Sequence, residues 1–150
     1  MSRQRDIELF IVDIFVAIEK IKEYTSSFKS ADDFAYSSLH WDASIRQLEI
    51  IGEALNKLLE DDNFNSMAPK YFRRVVNFRN HIVHGYFGID TDEVWNIITQ
   101  KLQILNNDLT QIIKESDIDL SQAILSEIEE YNNTKNISIV QYLMSLSRII

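Results

Sequence analysis

Apolar residues recur every three to four positions along most of the chain, the spacing that lines one side of an α-helix. Ile7, Phe10, Ile11, Ile14, Phe15, Ile18 and Ile21 predict a first helix over residues 6–24, with Asp6 and Glu8 suited to its start. Ser30-Ala31-Asp32-Asp33 resembles a capping box and opens a second helical region. That region is strongest over residues 42–59, where Ile45, Leu48, Ile51, Leu55, Leu58 and Leu59 share a face. Gly52 interrupts it, a choice that costs about 1 kcal/mol against Ala in a helix interior. Close approach of another helix, within the chain or at a subunit contact, is the expected reason.

Residues 60–69 read as a polar loop. Pro69 fits the first turn of a third helix over residues 69–84, with Gly85 as its C-terminal cap. Asp90 or Thr91 then caps a fourth helix, which carries Val94, Trp95, Ile97, Ile98, Leu102, Leu105, Leu109, Ile112 and Ile113. Beyond residue 116 the pattern is weaker. Residues 118–131 and 137–150 read as two more helices about a polar linker at 132–136. They are too apolar for a solvated tail and are expected to dock on the bundle or on a partner. The fold class is therefore all-α, an up-and-down bundle of four to six helices. Residues 1–115 form the bundle and 116–150 a C-terminal extension.

Composition narrows the picture. The chain has 150 residues, 45% apolar, with three Gly, one Pro and no Cys. That suits one helical domain and leaves no disulfide or Cys-ligated metal. No secretory or membrane segment is expected, because Glu8, Asp13 and Glu19 interrupt the first apolar stretch. A cytoplasmic location follows as the expectation. The net charge of −8 disfavours a general nucleic-acid binder. The charge is unevenly spread, however. Residues 63–89 contain no acid, yet carry Lys70, Arg73, Arg74 and Arg79. These cations can bind phosphate or simply cover a solvated face.

The third helix carries the least expected placement. At about 100° per residue, Phe72, Val75, Val76, Ile82 and Val83 cluster on one face with Arg79 in their midst. A guanidinium there demands either a carboxylate, with Glu53 and Glu49 the candidates, or a functional cavity. Arg73, Asn77, Asn80 and His84 form an adjacent row. His84 sits at the C-terminal end, where the helix dipole favours a cation. Tyr86 comes just past the helix. This set has the parts for RNA cleavage that needs no metal and no cofactor. His84 is placed for proton transfer, Arg79 for the phosphate and its developing charge, and Asn80 for orientation. A second copy across a two-fold axis would supply a second His, giving both acid and base.

The run Arg79-Asn80-His81-Ile82-Val83-His84-Gly85-Tyr86-Phe87 resembles the Arg-x4-His motif of the HEPN superfamily, in the form found in its HepT-like branch. Arg46-Gln47-Leu48-Glu49-Ile50-Ile51-Gly52-Glu53-Ala54 resembles that branch's second-helix pattern. Phe87-Gly88-Ile89-Asp90 and Val94-Trp95 resemble the branch's residues on the C-terminal side of the motif. The resemblance covers roughly residues 5–114. It implies a homodimeric helical bundle that acts as a ribonuclease toxin on tRNA or mRNA. Arg79 and His84 would be catalytic, Asn80 assisting, and Glu53 and Arg46 supporting. It also implies a nucleotidyltransferase antitoxin of the MntA type, which uses ATP to AMPylate Tyr86 and so blocks the phosphate site. The alternative is a non-catalytic helical partner of such a nucleotidyltransferase that binds a nucleotide or the partner itself. The intact Arg79, Asn80, His84 and Tyr86 favour the nuclease; the overall acidity favours the binding module.

Overall fold

The computed structural model describes residues 3–84 and 88–150. Helix α1 (Arg3–Thr25) and helix α3 (Ser38–Leu59) form the longest pairing and the centre of the bundle. The predicted stripe explains why. Ile11, Ile14, Phe15, Ile18 and Ile21 of α1 and Ile45, Leu48, Ile51, Leu55 and Leu58 of α3 are all buried. Val12, Val16 and Ala17 are buried too, outside that stripe. α1 is wrapped by four helices (α3, α7, α8 and α9), so one apolar face is not enough for it.

Short α2 (Ala31–Tyr36) begins at Ser30, whose hydroxyl accepts from the Asp33 amide at 3.2 Å. This is the predicted cap. The segment read as a polar loop contains a further helix, α4 (Asp62–Met67). Asp61 caps it by accepting from the Phe64 amide at 3.0 Å, and Phe64 is buried. One buried side chain in six residues shows no period, which is why the pattern does not reveal it.

Helix α5 (Phe72–His84) starts one turn later than predicted. Pro69 sits in the preceding turn, where its carbonyl accepts from the Phe72 amide. α5 packs against α3. Phe72, Val76 and Ile82 are buried as expected, but Val83 is 46% exposed. It falls in the last turn beside Ile82, which is buried, so the covered face of α5 there is narrower than the apolar pattern. The predicted cap Gly85 lies outside the described residues.

Asp90 caps the next helix by accepting from the Asp92 amide at 2.9 Å. That helix is continuous but mixed, with α6 (Thr91–Asn96), a π-helical turn (Ile97–Lys101) and α7 (Leu102–Lys114). α8 (Ser121–Asn133) and α9 (Ile137–Ile149) form a hairpin packed along α1. Ala123, Ile124, Ile139, Val140, Leu143 and Leu146 are buried there, as the apolar tail required.

The hairpin joint carries an unusual charge pattern. Asp13 of α1 lies within electrostatic reach of Glu127 and Glu130 of α8, and Lys20 offers the opposing charge. The Lys20 ammonium sits 4.9 Å from the Tyr131 ring centre, on the aromatic face. Burial first, and Glu130 second, push the Asp13 carboxyl up to about 6. Burial, with Asp13 and Glu130 adding to it, pushes Glu127 up to about 7. Both groups bind protons more tightly when α8 is docked. Their contribution to docking is therefore complete below about pH 4 and is lost as the pH rises through 6 and 7. Asp13→Asn is expected to raise the melting temperature at pH 8 by about 2–4 °C, the equivalent of about 1 kcal/mol. It should also flatten the dependence between pH 5 and 8. Thermal melts followed by circular dichroism check both effects, and an unchanged pH dependence would contradict the assignment.

Candidate functional site

The site is built on α5 and the part of α3 beneath it. Just before α5, the Tyr71 hydroxyl donates to the Asp108 carboxylate of α7 at 2.6 Å. Burial, reinforced by this bond and the charge of Asp108, pushes the phenol well above its ordinary range. The bond ties the first turn of α5 to α7 across a gap that the two helices do not otherwise close.

Farther along, α5 meets α3 at Gly52. A Cβ placed on Gly52 would lie 2.1 Å from the Arg79 Cβ and 2.6 Å from its Cγ. The close approach expected at Gly52 is therefore made within one chain, to the helix that bears the candidate motif.

From that contact the Arg79 side chain spreads over two acceptors. One terminal nitrogen donates to Glu53 Oε1 at 3.2 Å, and the other to Asn80 Oδ1 at 3.0 Å. Of the two carboxylates open to it, Arg79 takes Glu53. The pair is not sealed, because 28% of the Arg79 side chain and 45% of the Glu53 side chain remain exposed. The Arg79 Nε is buried without an acceptor among the described residues. Leaving such a donor unpaired costs about 1–3 kcal/mol.

Asn80 and His84 are both exposed, one turn apart on the same row as Arg73 and Asn77. His84 stands about 7.5 Å farther along the axis than Arg79. Asn80 accepts from Arg79 and shares its exposed row with His84.

The other predicted residues divide. Lys70 and Arg73 line a hollow with Leu59, Asn65, Ala68 and Pro69. Arg74 lines a different groove of about 400 Å³, together with Val75, Phe78, Glu93, Lys101 and the floor of α3. Lys70, Arg73 and Arg74 are exposed and make no ion pair among the described residues. Arg46 bonds Glu49 at 3.1 Å, two turns before Glu53, and is not brought to Arg79. Tyr86 lies outside the described residues. No group of three or more His, Asp or Glu among the described residues is arranged to hold a metal ion.

Sequence reasoning missed the Tyr71–Asp108 bond. The partners are 37 positions apart, and nothing local marks them.

The fold and site define an all-α protein with a partly open cation on one helix and an exposed imidazole five residues farther along it. Residues 14–116 match the family described as "Ribonuclease HepT-like", and the chain belongs to that family. Its relatives include the "Gamma-glutamylcyclotransferase and putative RNase MJ0434" of Methanocaldococcus jannaschii, 32% identical over 116 residues and covering 76% of this chain. The chain spans 50% of that relative's length. The "Putative RNase MJ0127" of the same organism is 30% identical over 112 residues, covering 75% of this chain and 91% of the relative. The "Probable ribonuclease HepT" of Thermococcus cleftensis is 31% identical over 106 residues, covering 70% of this chain and 94% of the relative. No solved structure matches the chain. The family match ends before α8, so the hairpin lies beyond it.

Tyr71→Phe is expected to lower the unfolding free energy by about 1.5–3 kcal/mol, the usual range for a bond to a charged acceptor. Urea denaturation measures this, and a variant as stable as the wild type would show that Asp108 does not anchor α5.

Proposed function

We propose that this chain is the toxin of a toxin–antitoxin pair, an endoribonuclease that cuts tRNA or mRNA without a metal. One observation carries the reading. In a chain of the HepT-like family, Arg79 is held between Glu53 and Asn80 with its head group still open, and Asn80 stands one turn from an exposed His84.

The chemistry follows from these groups. The RNA 2′-hydroxyl attacks the adjacent phosphorus as its proton passes to an imidazole. The bond to the 5′-oxygen breaks, and that oxygen takes a proton from a second imidazole. The products are a 2′,3′-cyclic phosphate and a 5′-hydroxyl. Arg79 neutralises the charge that gathers on the phosphate oxygens, the task a metal ion performs in other nucleases. Asn80 orients Arg79 from the side of His84. Since each chain offers one such histidine, a homodimer with two His84 side chains at a shared cleft supplies acid and base together. Lys70, Arg73 and Arg74 lie along the same helix and its approach, where they extend the phosphate track.

Control falls to a nucleotidyltransferase antitoxin that transfers AMP from ATP to Tyr86. The added phosphate and nucleoside would fill the site and repel RNA. A cytoplasmic location fits this pairing, and among the described residues no helix is long and apolar enough to cross a membrane.

Purified protein is expected to cut RNA at the same rate with and without EDTA, leaving cyclic phosphate ends. His84→Ala should slow cutting by about 10²–10⁴-fold and Arg79→Ala by about 10²–10³-fold, with helix content unchanged. Cutting that survives both substitutions would refute the site. Co-expression with a nucleotidyltransferase encoded beside this chain's gene should add one AMP to Tyr86 on intact mass analysis. A neutralised but unmodified chain would point to masking instead.

A further inference from the structure

We propose that Gly52 is a positioning residue: its bare backbone on α3 is the seat that sets the Arg79 guanidinium in place. This rests on the reading of Arg79 as the group that holds the phosphate.

The three heavy atoms nearest to a Cβ at position 52 all belong to Arg79: its Cβ at 2.1 Å, Cγ at 2.6 Å and Cα at 3.5 Å. The space left by the missing side chain is thus used by this one residue. The contrast with Gly88 is direct, since a Cβ there meets nothing within 4 Å. The atoms that fill the seat are the root of the side chain. They cannot swing away as the tip of a flexible chain would. An Ala at 52 must push α5 off α3, because no side-chain rotation moves the Arg79 Cβ, and that movement lifts the head group from Glu53.

The register around the seat is equally specific. Glu53, the next residue on α3, takes one terminal nitrogen of Arg79. Asn80, the next residue on α5, takes the other. A notch and a carboxylate side by side on one helix therefore locate the stem and the head of a single side chain. The unpaired, buried Nε fits this picture. The stem lies where packing puts it, and its own N–H has not chosen the position.

Two further consequences are mechanical. The contact fixes the rotation of α5 about its axis, so it also sets where Asn80 and His84 point. It lies within one chain, so the guanidinium is in place before any second copy arrives.

The test compares Gly52→Ala with Val76→Ala, a buried substitution on α5 one turn before the seat. Gly52→Ala should lower kcat for RNA cleavage by about 100-fold, the usual effect of a misplacement of about 1 Å. Val76→Ala should keep kcat near wild type even at an equal loss of melting temperature. In the Arg79→Gly background, which leaves no Cβ for an Ala at 52 to meet, Gly52→Ala should cause no further loss of activity. A kcat for Gly52→Ala that falls no further than that of Val76→Ala would overturn the proposal.

A second readout is independent of cleavage. In the wild type, the Arg79 Nε–H signal in nitrogen-15 NMR should be as rigid as the backbone and slow to exchange with water. In Gly52→Ala it should exchange quickly. A mobile, fast-exchanging Arg79 Nε–H in the wild type would overturn the proposal even if the variant fails to fold. Absence of any RNA cleavage by the wild type, with the Nε–H sheltered, would sink the nuclease reading and leave the seat standing.

Discussion

The structure turns on one awkward placement, a guanidinium rooted in the apolar contact between two helices. Arg79 cannot be buried among Phe72, Val76 and Ile82 without a partner, and cannot escape to solvent without leaving α3. The fold resolves this with a glycine under the stem and a carboxylate under the head. The result is a cation that is fixed, partly dry and still 28% exposed. A charge held in that state interacts with an incoming anion far more strongly than a solvated surface arginine does, and it needs little reorganisation.

The rest of the bundle serves to keep that contact rigid. α1 and α3 supply the frame, α5 lies on the frame, and the Tyr71–Asp108 bond fixes the entry of α5 against α7. The hairpin of α8 and α9 is different in kind. It lies beyond the part of the chain that matches the family, and it joins α1 through carboxylates that resist being charged together. It packs on α1, whereas α5 packs on α3.

Much of this was legible in the residues. The stripes of α1 and α3, the Ser30 and Asp90 caps, the tail as docked helices and the row through Asn80 and His84 all follow from period and capping chemistry. Gly52 announced a close approach, and Arg79 announced its need for a partner. The features that stayed hidden did so for physical reasons. α4 is too short to show a period. Val83 follows the apolar pattern but lies beyond the edge of the covered face, beside the buried Ile82. The π-helical turn at Ile97–Lys101 changes the register without any proline or glycine to mark it. The Tyr71–Asp108 bond and the choice of Glu53 over Glu49 depend on how helices distant in sequence are docked. Arg46 shows the converse. It shares a face of α3 with Glu53, yet it is satisfied locally by Glu49 and takes no part in the cluster.

The measurement that bears most directly on the central claim is a structure of the protein bound to a short RNA whose reacting 2′-hydroxyl is replaced by hydrogen. The central phosphate is expected within hydrogen-bonding distance of the Arg79 head group, with Glu53 yielding one of its contacts and His84 facing the 2′ position or the 5′-oxygen. A phosphate bound elsewhere, with the Arg79–Glu53 pair undisturbed and His84 turned to open solvent, would contradict the claim.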